Sequence, residues 1–397
     1  VGRVLRIGHR LTPRNLPNQT FSSSCESDYR RSRTRAFPGR NHHRLGHVND
    51  RSTAVRGAQI DADAQPKETM WRFAGMTGLL QPYYNFKSDM QSQHGWAFGA
   101  DYNMMYQRAS ESLGLERAGS GALRLYSTWT LYQNDDGDSG SIVAKIENRH
   151  KLWADIPTQS LGGEIGYAGL TSVPFSDAGT VLTNLYWHQS FKADTVAFIA
   201  GVIDPTDYID VYGLVNPWTD FSNLSFTTNP TIPVPNQGPG AAVRLDVREQ
   251  YYLIAGFADS NANPAAPVDS LQDFVDDLEL FKHVEFGWVS SRDNQFTDNV
   301  HVTLWQVDER PRAGVGSGWG GTFSFSYRFS EHWLPFLRVG ISDGGGGAFL
   351  DRSLAGGIGY FRTARSDHMG IGVAWGRPAE ETLGPGLDDQ WSSEGVY

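Results

Sequence analysis

From Trp71 onward apolar and polar residues alternate with a period of two, the spacing of a β-strand with two unlike faces. In Trp96–Tyr106 one face carries Trp96, Phe98, Tyr102, Met104 and Tyr106, and the other carries Ala97, Gly99, Asp101, Asn103 and Met105. Leu123, Leu125, Trp129 and Leu131 oppose Arg124, and Ile142, Ala144 and Ile146 oppose Val143, Lys145 and Glu147. Further along, Val243, Leu245 and Val247 alternate with Arg244, Asp246 and Arg248, and Val300, Val302 and Leu304 with His301, Thr303 and Trp305. Phe323–Phe329 and Met369–Trp375 repeat the pattern with Ser, Arg, Gly and Ala between their apolar residues.

These runs of roughly 8–11 residues are long enough to cross a bilayer at the tilt of a barrel strand. About 16 of them are predicted between Trp71 and Tyr397. Lipid offers the backbone no hydrogen-bond partner, so spanning strands must close on themselves. The expected fold is therefore all-β: a transmembrane antiparallel barrel of about 16 strands with long loops. A soluble β-rich carbohydrate-binding protein or glycosidase is the alternative, with the same aromatics as core. Repetition of the pattern, and charges recurring opposite the apolar face, favour the barrel.

Two stretches break the period. Asp204–Gly240 is rich in Pro, Asn and Asp and too long for an ordinary hairpin loop, which marks it as functional. Ser270–Phe281 places Leu271, Phe274, Val275, Leu278 and Phe281 at helical spacing, with Asp273, Asp276, Asp277 and Glu279 on the other side. It is predicted to be a short amphipathic helix.

Composition agrees with a β-rich membrane chain. Glycine numbers 44, aromatics make up 12% and only 39% of residues are hydrophobic, while no apolar run approaches the ~18 residues of a membrane helix. Charge divides the chain. Residues 1–60 hold 12 Arg, no Lys and three acids, leaving 22 basic and 41 acidic residues for the rest. Residues 1–66 are read as a disordered Arg-rich head, or as upstream sequence joined by a mis-set start; no secretory h-region is visible in them. Residues 67–397 are read as the barrel. No nucleic-acid partner is expected from the head. The one cysteine, Cys25, also lies there, and cysteine avoidance elsewhere suits an exported chain.

Leu182–Gln189, followed by Gly201-Val-Ile-Asp-Pro-Thr-Asp-Tyr-Ile-Asp210, Phe221–Phe226, Asn229-Pro230 and Gly238 to Gly240, resembles the signature region of the carbohydrate-selective porins. Ala258–Pro264, Pro335–Asp343 and Gly370–Pro378 are similar to later segments of that family, so the resemblance covers about 181–397. It implies a 16-stranded outer-membrane channel for passive diffusion of sugars, not an enzyme, with no cofactor. The expected partners are mono- or oligosaccharides and outer-membrane lipid, with the chain a monomer or homo-oligomer.

A sugar offers hydroxyls around an apolar ring face, so a selective channel needs charged or amide partners plus aromatic surface. Arginine suits this because its planar fork carries several donors. By parity the lumenal candidates are Asp101, Asn103, Arg124, Lys145, Glu147, Arg244, Asp246, Arg248 and His301. Asp204, Asp207 and Asp210 join them if the long segment folds inward. Arg338 is a further candidate on a strand of ambiguous parity.

Other motifs carry no chemistry. Asp343–Gly347 lacks the Lys-Ser/Thr of a phosphate loop. Asp136, Asp138, Gly140 and Glu147 have calcium-loop spacing but Ser141 where the turn glycine belongs. His42-His43 has no partner set for a metal, and no Gly-x-Ser-x-Gly is present. Trp391–Tyr397 follows a turn and is shorter than a spanning strand. The expectation is a chain ending one full strand and part of another early.

Overall fold

The alternation is realised as one continuous antiparallel meander. The computed structural model describes residues 74–192, 195–330, 332–362 and 368–397. Its helix α1 (Ala74–His94) precedes β1 (Trp96–Arg108), β2 (Arg117–Gln133) and β3 (Ser139–Lys151). A long connection with the one-turn helix α2 (Leu161–Glu164) leads to β4 (Gly179–Phe191) and β5 (Val196–Ile203). Then come β6 (Gly238–Val247), β7 (Tyr251–Asp259), α3 (Pro267–Asp277), β8 (Leu280–Val289) and β9 (Asn299–Val307). The chain ends with β10 (Gly318–Ser326), β11 (Trp333–Ser342), β12 (Leu350–Phe361), β13 (His368–Pro378), α4 (Glu380–Leu383) and β14 (Gln390–Val396).

Each strand pairs with its sequence neighbours in the order β1 to β14. Fourteen strands are thus seen among the described residues, where the sequence led us to expect about 16. No ladder among those residues joins β14 to β1. The 152–178 connection reaches both end strands instead. On one side Gln107 Nε2 donates to Thr171 O at 3.2 Å, and Ser112 Oγ to Glu164 O at 2.8 Å. On the other, Gln390 Nε2 donates to Gly166 O at 2.8 Å and its Oε1 accepts from Ala168 N at 2.7 Å. The reading of residues 1–66 falls outside the described residues.

The connections differ at the two ends of the sheet. One end has the tight links 134–138, 192–195 and 248–250, and the other the long ones 152–178, 204–237 and 260–279. Such asymmetry is usual for outer-membrane barrels.

Polarity across the sheet is inverted relative to a soluble protein. One face exposes Leu125, Leu185, Phe286, Val302, Leu304, Ile341, Met369 and Ile371, each between 43% and 59% accessible.

 The opposite face buries Arg124, Lys145, Glu147, Arg244, Glu285, His301, Thr303 and Arg338. Exposed aromatics gather at both rims of the apolar face. Trp96, Trp129, Phe191, Tyr251 and Trp333 lie at the short-turn end, and Tyr106, Trp319 and Trp391 at the long-loop end. This is the girdle pattern of a bilayer-spanning sheet.

The apolar core lies on the inward face, where the 204–237 segment packs. Tyr208, Ile209 and Ile232 join Ile199, Ile254 and Phe281 in one cluster, and Tyr212, Leu214, Phe221 and Phe226 join Leu334 and Phe336 in another. Glycines permit the approach. A Cβ on Gly372 would meet the Phe226 ring at 2.7 Å, and one on Gly340 would run into Thr231 and Asn229.

Two sequence expectations need correction here. Residues 74–94 form a helix rather than continuing the period-two pattern. The expected helix over Ser270–Phe281 is found at Pro267–Asp277. It stops because Leu278 turns left-handed at φ 51° and Leu280 enters β8.

Candidate functional site

The inward face is a field of paired charges and stacked arginines. Strand alternation in β2 points Arg124 inward, where it donates to Asp101 of β1 from Nε at 2.7 Å and from Nη2 at 2.6 Å. Its guanidinium lies 4.1 Å from the ring centre of Trp218, which the long segment supplies. Asn103 also donates to Asp101, at 2.7 Å. On β3, Glu147 sits between Lys145 at 3.2 Å and Arg149 at 2.7 Å. On β6, Arg244 donates to Asp246 at 2.7 Å and stacks over Tyr252 at 4.3 Å, and Arg292 reaches the same carboxylate at 2.8 Å. These stacks hold each guanidinium flat against an aromatic face while carboxylates fix its edge.

Asp210 ties the long segment to the sheet. Its backbone has a left-handed φ of 55°, and its N–H donates to Glu285 at 2.7 Å. Its carboxylate pairs with Arg338, accepts from Asn229 N at 3.0 Å, and lies 3.4 Å from both His301 Nε2 and Thr322 Oγ1. Arg338 also donates to the carbonyls of Phe226 at 3.3 Å and Thr227 at 2.9 Å, and stacks on Tyr212 at 4.8 Å. Burial alone would raise the Asp210 pKa, but the Arg338 charge and His301 outweigh it and hold the carboxyl below its usual range.

Asp204 caps the turn at 205–207, accepting from Thr206 N at 3.0 Å and from Gln237 Nε2 at 2.6 Å. Asp207 accepts from Asn184 Nδ2 at 3.1 Å. Burial pushes its pKa up to about 7; Lys145 opposes this and the neighbouring Asp204 adds to it. Beside it a small recess of about 20 Å³, room for a water molecule, is lined by Asp207, Arg244, Tyr252, Glu285 and Asn299.

The sequence candidates are therefore distributed as follows. Arg124 with Asp101 and Asn103, Lys145 with Glu147, Arg244 with Asp246, and His301 with Arg338 all lie on the inward face or against it. Asp204, Asp207 and Asp210 are brought there by the long segment. Arg248 is set apart: β6 ends at Val247, and Arg248 is an exposed turn residue with φ 65°. Sequence reasoning missed Glu285, which accepts from Tyr252 OH at 2.9 Å and Thr303 Oγ1 at 2.7 Å. The signal was present, since His283 and Glu285 alternate with Val284 and Phe286 in β8. It also missed Glu394 of β14, which accepts from Ser222 N at 2.9 Å and Asn223 N at 3.0 Å. No group of residues able to hold a metal ion is found among the described residues.

Comparison with known proteins gives two family matches. Residues 141–321 match the carbohydrate-selective porin, OprB family. This span begins inside β3 and ends inside β10, overlapping the signature region read from the sequence. Residues 1–66 match the family described as NAD-specific glutamate dehydrogenase; they lie outside the described residues. A search of curated proteins returns no match. Among solved structures, the chain is similar to the high-pH structure of Pseudomonas putida OprB. Identity is 11%, coverage is 76% of this chain and 79% of that one, and the TM-score is 0.57. The low-pH structure of the same protein aligns at 11% identity over 79% and 85% of the two chains, with a TM-score of 0.42. At this identity the first likeness establishes a shared fold. Family match and fold together indicate a channel protein rather than an enzyme.

Proposed function

We propose that the chain is a bacterial outer-membrane porin that lets sugars diffuse passively through a water-filled lumen. The observation that carries this reading is the inverted polarity of the sheet. Leucines, valines and isoleucines are exposed at mid-strand while Arg124, Lys145, Glu147 and Arg338 are buried on the other face. A soluble sandwich or glycosidase would bury the first set and solvate the second. In a barrel the first set meets lipid and the second lines the aqueous path.

The selectivity we propose comes from the inward segment. It brings Trp218 and Tyr212 against Arg124 and Arg338, while Tyr252 on the sheet backs Arg244. The stacked rings are buried and hold the charged groups in place, and a sugar's hydroxyls can exchange hydrogen bonds with carboxylate and guanidinium edges that stay open, such as those of Asp101 and Arg149. Asp101, Asn103, Arg124, Lys145, Glu147, Asp204, Asp207, Arg244, Asp246, His301 and Arg338 are proposed to line or support this path. Neutral sugars are favoured over ions of either sign because each charge already has an opposite partner nearby.

Liposome swelling tests the proposal. Vesicles carrying the purified chain should swell in glucose or a disaccharide and should not swell in large dextrans. Equal rates for sugars and for uncharged non-sugar solutes of the same size would remove the selectivity. No swelling in any small solute would remove the channel.

A further inference from the structure

Helix α1 sits on the outward side of the sheet, at the short-turn rim. Its C-terminal end is fixed there: Trp129 Nε1 donates to His94 O at 3.1 Å and Thr130 N to Gly95 O at 2.8 Å. The Phe86 ring meets that of Phe98 edge-on at 6.1 Å, and Phe98 lies 4.9 Å from Trp96. Lys87 Nζ lies 5.6 Å from the centre of Phe98 and 5.8 Å from that of Tyr83. Phe98 shares its strand face with Tyr102, Met104 and Tyr106, the apolar face of β1.

Over 80–94 the helix is weakly two-sided. At 3.6 residues per turn, Leu80, Tyr83, Phe86 and Met90 share one side with Lys87, Gln91 and His94, and Gln81, Asn85, Ser88 and Ser92 lie on the other. Gln81 and Asn85 hydrogen-bond at 2.9 Å on the polar side. Yet Tyr83, Tyr84 and Phe86 remain 45%, 50% and 51% exposed. They continue the aromatic rim formed by Trp96, Trp129 and Tyr132. Aromatic rings with polar tips, and a lysine whose stem lies along them, belong at a bilayer–water boundary.

We propose that α1 is an interfacial helix, lying in the lipid headgroup region on the short-turn side with Tyr83, Tyr84 and Phe86 against lipid. The proposal rests on the membrane-channel reading and adds to it an anchor outside the strands. It predicts that the helix is part of the membrane-bound surface and not a free extension into water.

The test uses the full chain with Cys25→Ser and one new cysteine at a time: Tyr83→Cys, Ser88→Cys or Leu304→Cys. Each is labelled with an NBD fluorophore and reconstituted in phosphatidylcholine vesicles. Quenching is compared between iodide on both sides of the membrane and lipids spin-labelled at shallow or deep acyl positions. At Tyr83 the shallow spin label should quench several-fold more than at Ser88, where iodide should dominate; Leu304 should respond to the deep label. Iodide quenching at Tyr83 equal to that at Ser88 would overturn the proposal. So would protection of Tyr83 from iodide and spin label alike, which would mean that protein covers this face. A Leu304 label that escapes every lipid quencher would instead sink the membrane reading, and the anchor with it.

Discussion

Replacing Asp210 with Asn isolates the link between the inward segment and the sheet. The change removes one charge and almost no volume. Arg338, 1% exposed, keeps its bonds to the carbonyls of Phe226 and Thr227 but loses its carboxylate partner. Removing one member of a buried ion pair costs about 3–5 kcal/mol, because the remaining charge stays desolvated. The cost falls on the 204–237 segment, since the strand ladders do not involve Asp210. The expected outcome is a segment that loosens within an intact sheet, seen as larger and noisier single-channel conductance and weaker discrimination between sugars. Asp210→Asn with Arg338→Met removes both charges, so it should cost several kcal/mol less than the two single changes summed. Two results would refute the reasoning: additive single and double changes, or Asp210→Asn channels indistinguishable from the parent.

Leu304→Arg, on the exposed apolar side of β9, should destabilise the folded protein by about 2–4 kcal/mol in a denaturant titration in bilayers; a neutral effect would mean that this face meets water. Asp207 has a folded pKa of about 7 against an ordinary value of 3.8, so the folded state holds its proton across that interval. As pH rises through 7 the buried group gains charge, and its contribution to stability falls from pH 4 upward to a plateau above 7. Cation preference measured by reversal potential should therefore rise between pH 6 and 8, and Asp207→Asn should abolish the step. Trp218→Ala removes the ring that Arg124 stacks on, an interaction of about 0.5–2 kcal/mol. Sugar affinity from current-noise analysis should fall roughly 2- to 30-fold, and an unchanged affinity would place the sugar path elsewhere.

Much of the sheet was legible in the sequence because its two faces differ in polarity and a strand sends alternate residues to opposite faces. The parities read for Trp96–Tyr106, Ile142–Asn148, Val300–Trp305 and Met369–Trp375 match the faces observed. Arg338 was ambiguous for a physical reason. Its inward neighbours Leu334 and Phe336 are apolar because they pack on Tyr212, Leu214 and Phe221 of the long segment, so both faces of β11 read as hydrophobic. The same segment hides its own partners. Asp210 meets Arg338 across 128 positions of sequence, a pairing no local pattern encodes. Helix α1 was missed because Pro82 and its scattered aromatics resemble strand-end residues more than an amphipathic stripe. Arg248 fitted the alternation of β6 by one residue too many, since the pattern does not reveal where the turn begins.

The central claim is that the face carrying Arg124, Lys145, Arg244 and Arg338 lines a water path that sugars use. Single-channel recording in a planar bilayer tests it most directly. Purified chain should give discrete ohmic current steps that a disaccharide at millimolar concentration interrupts reversibly. Arg124→Ala should shorten those interruptions while leaving the steps in place. Steps that no sugar interrupts, or a protein that never inserts and stays in the aqueous phase, would contradict the account.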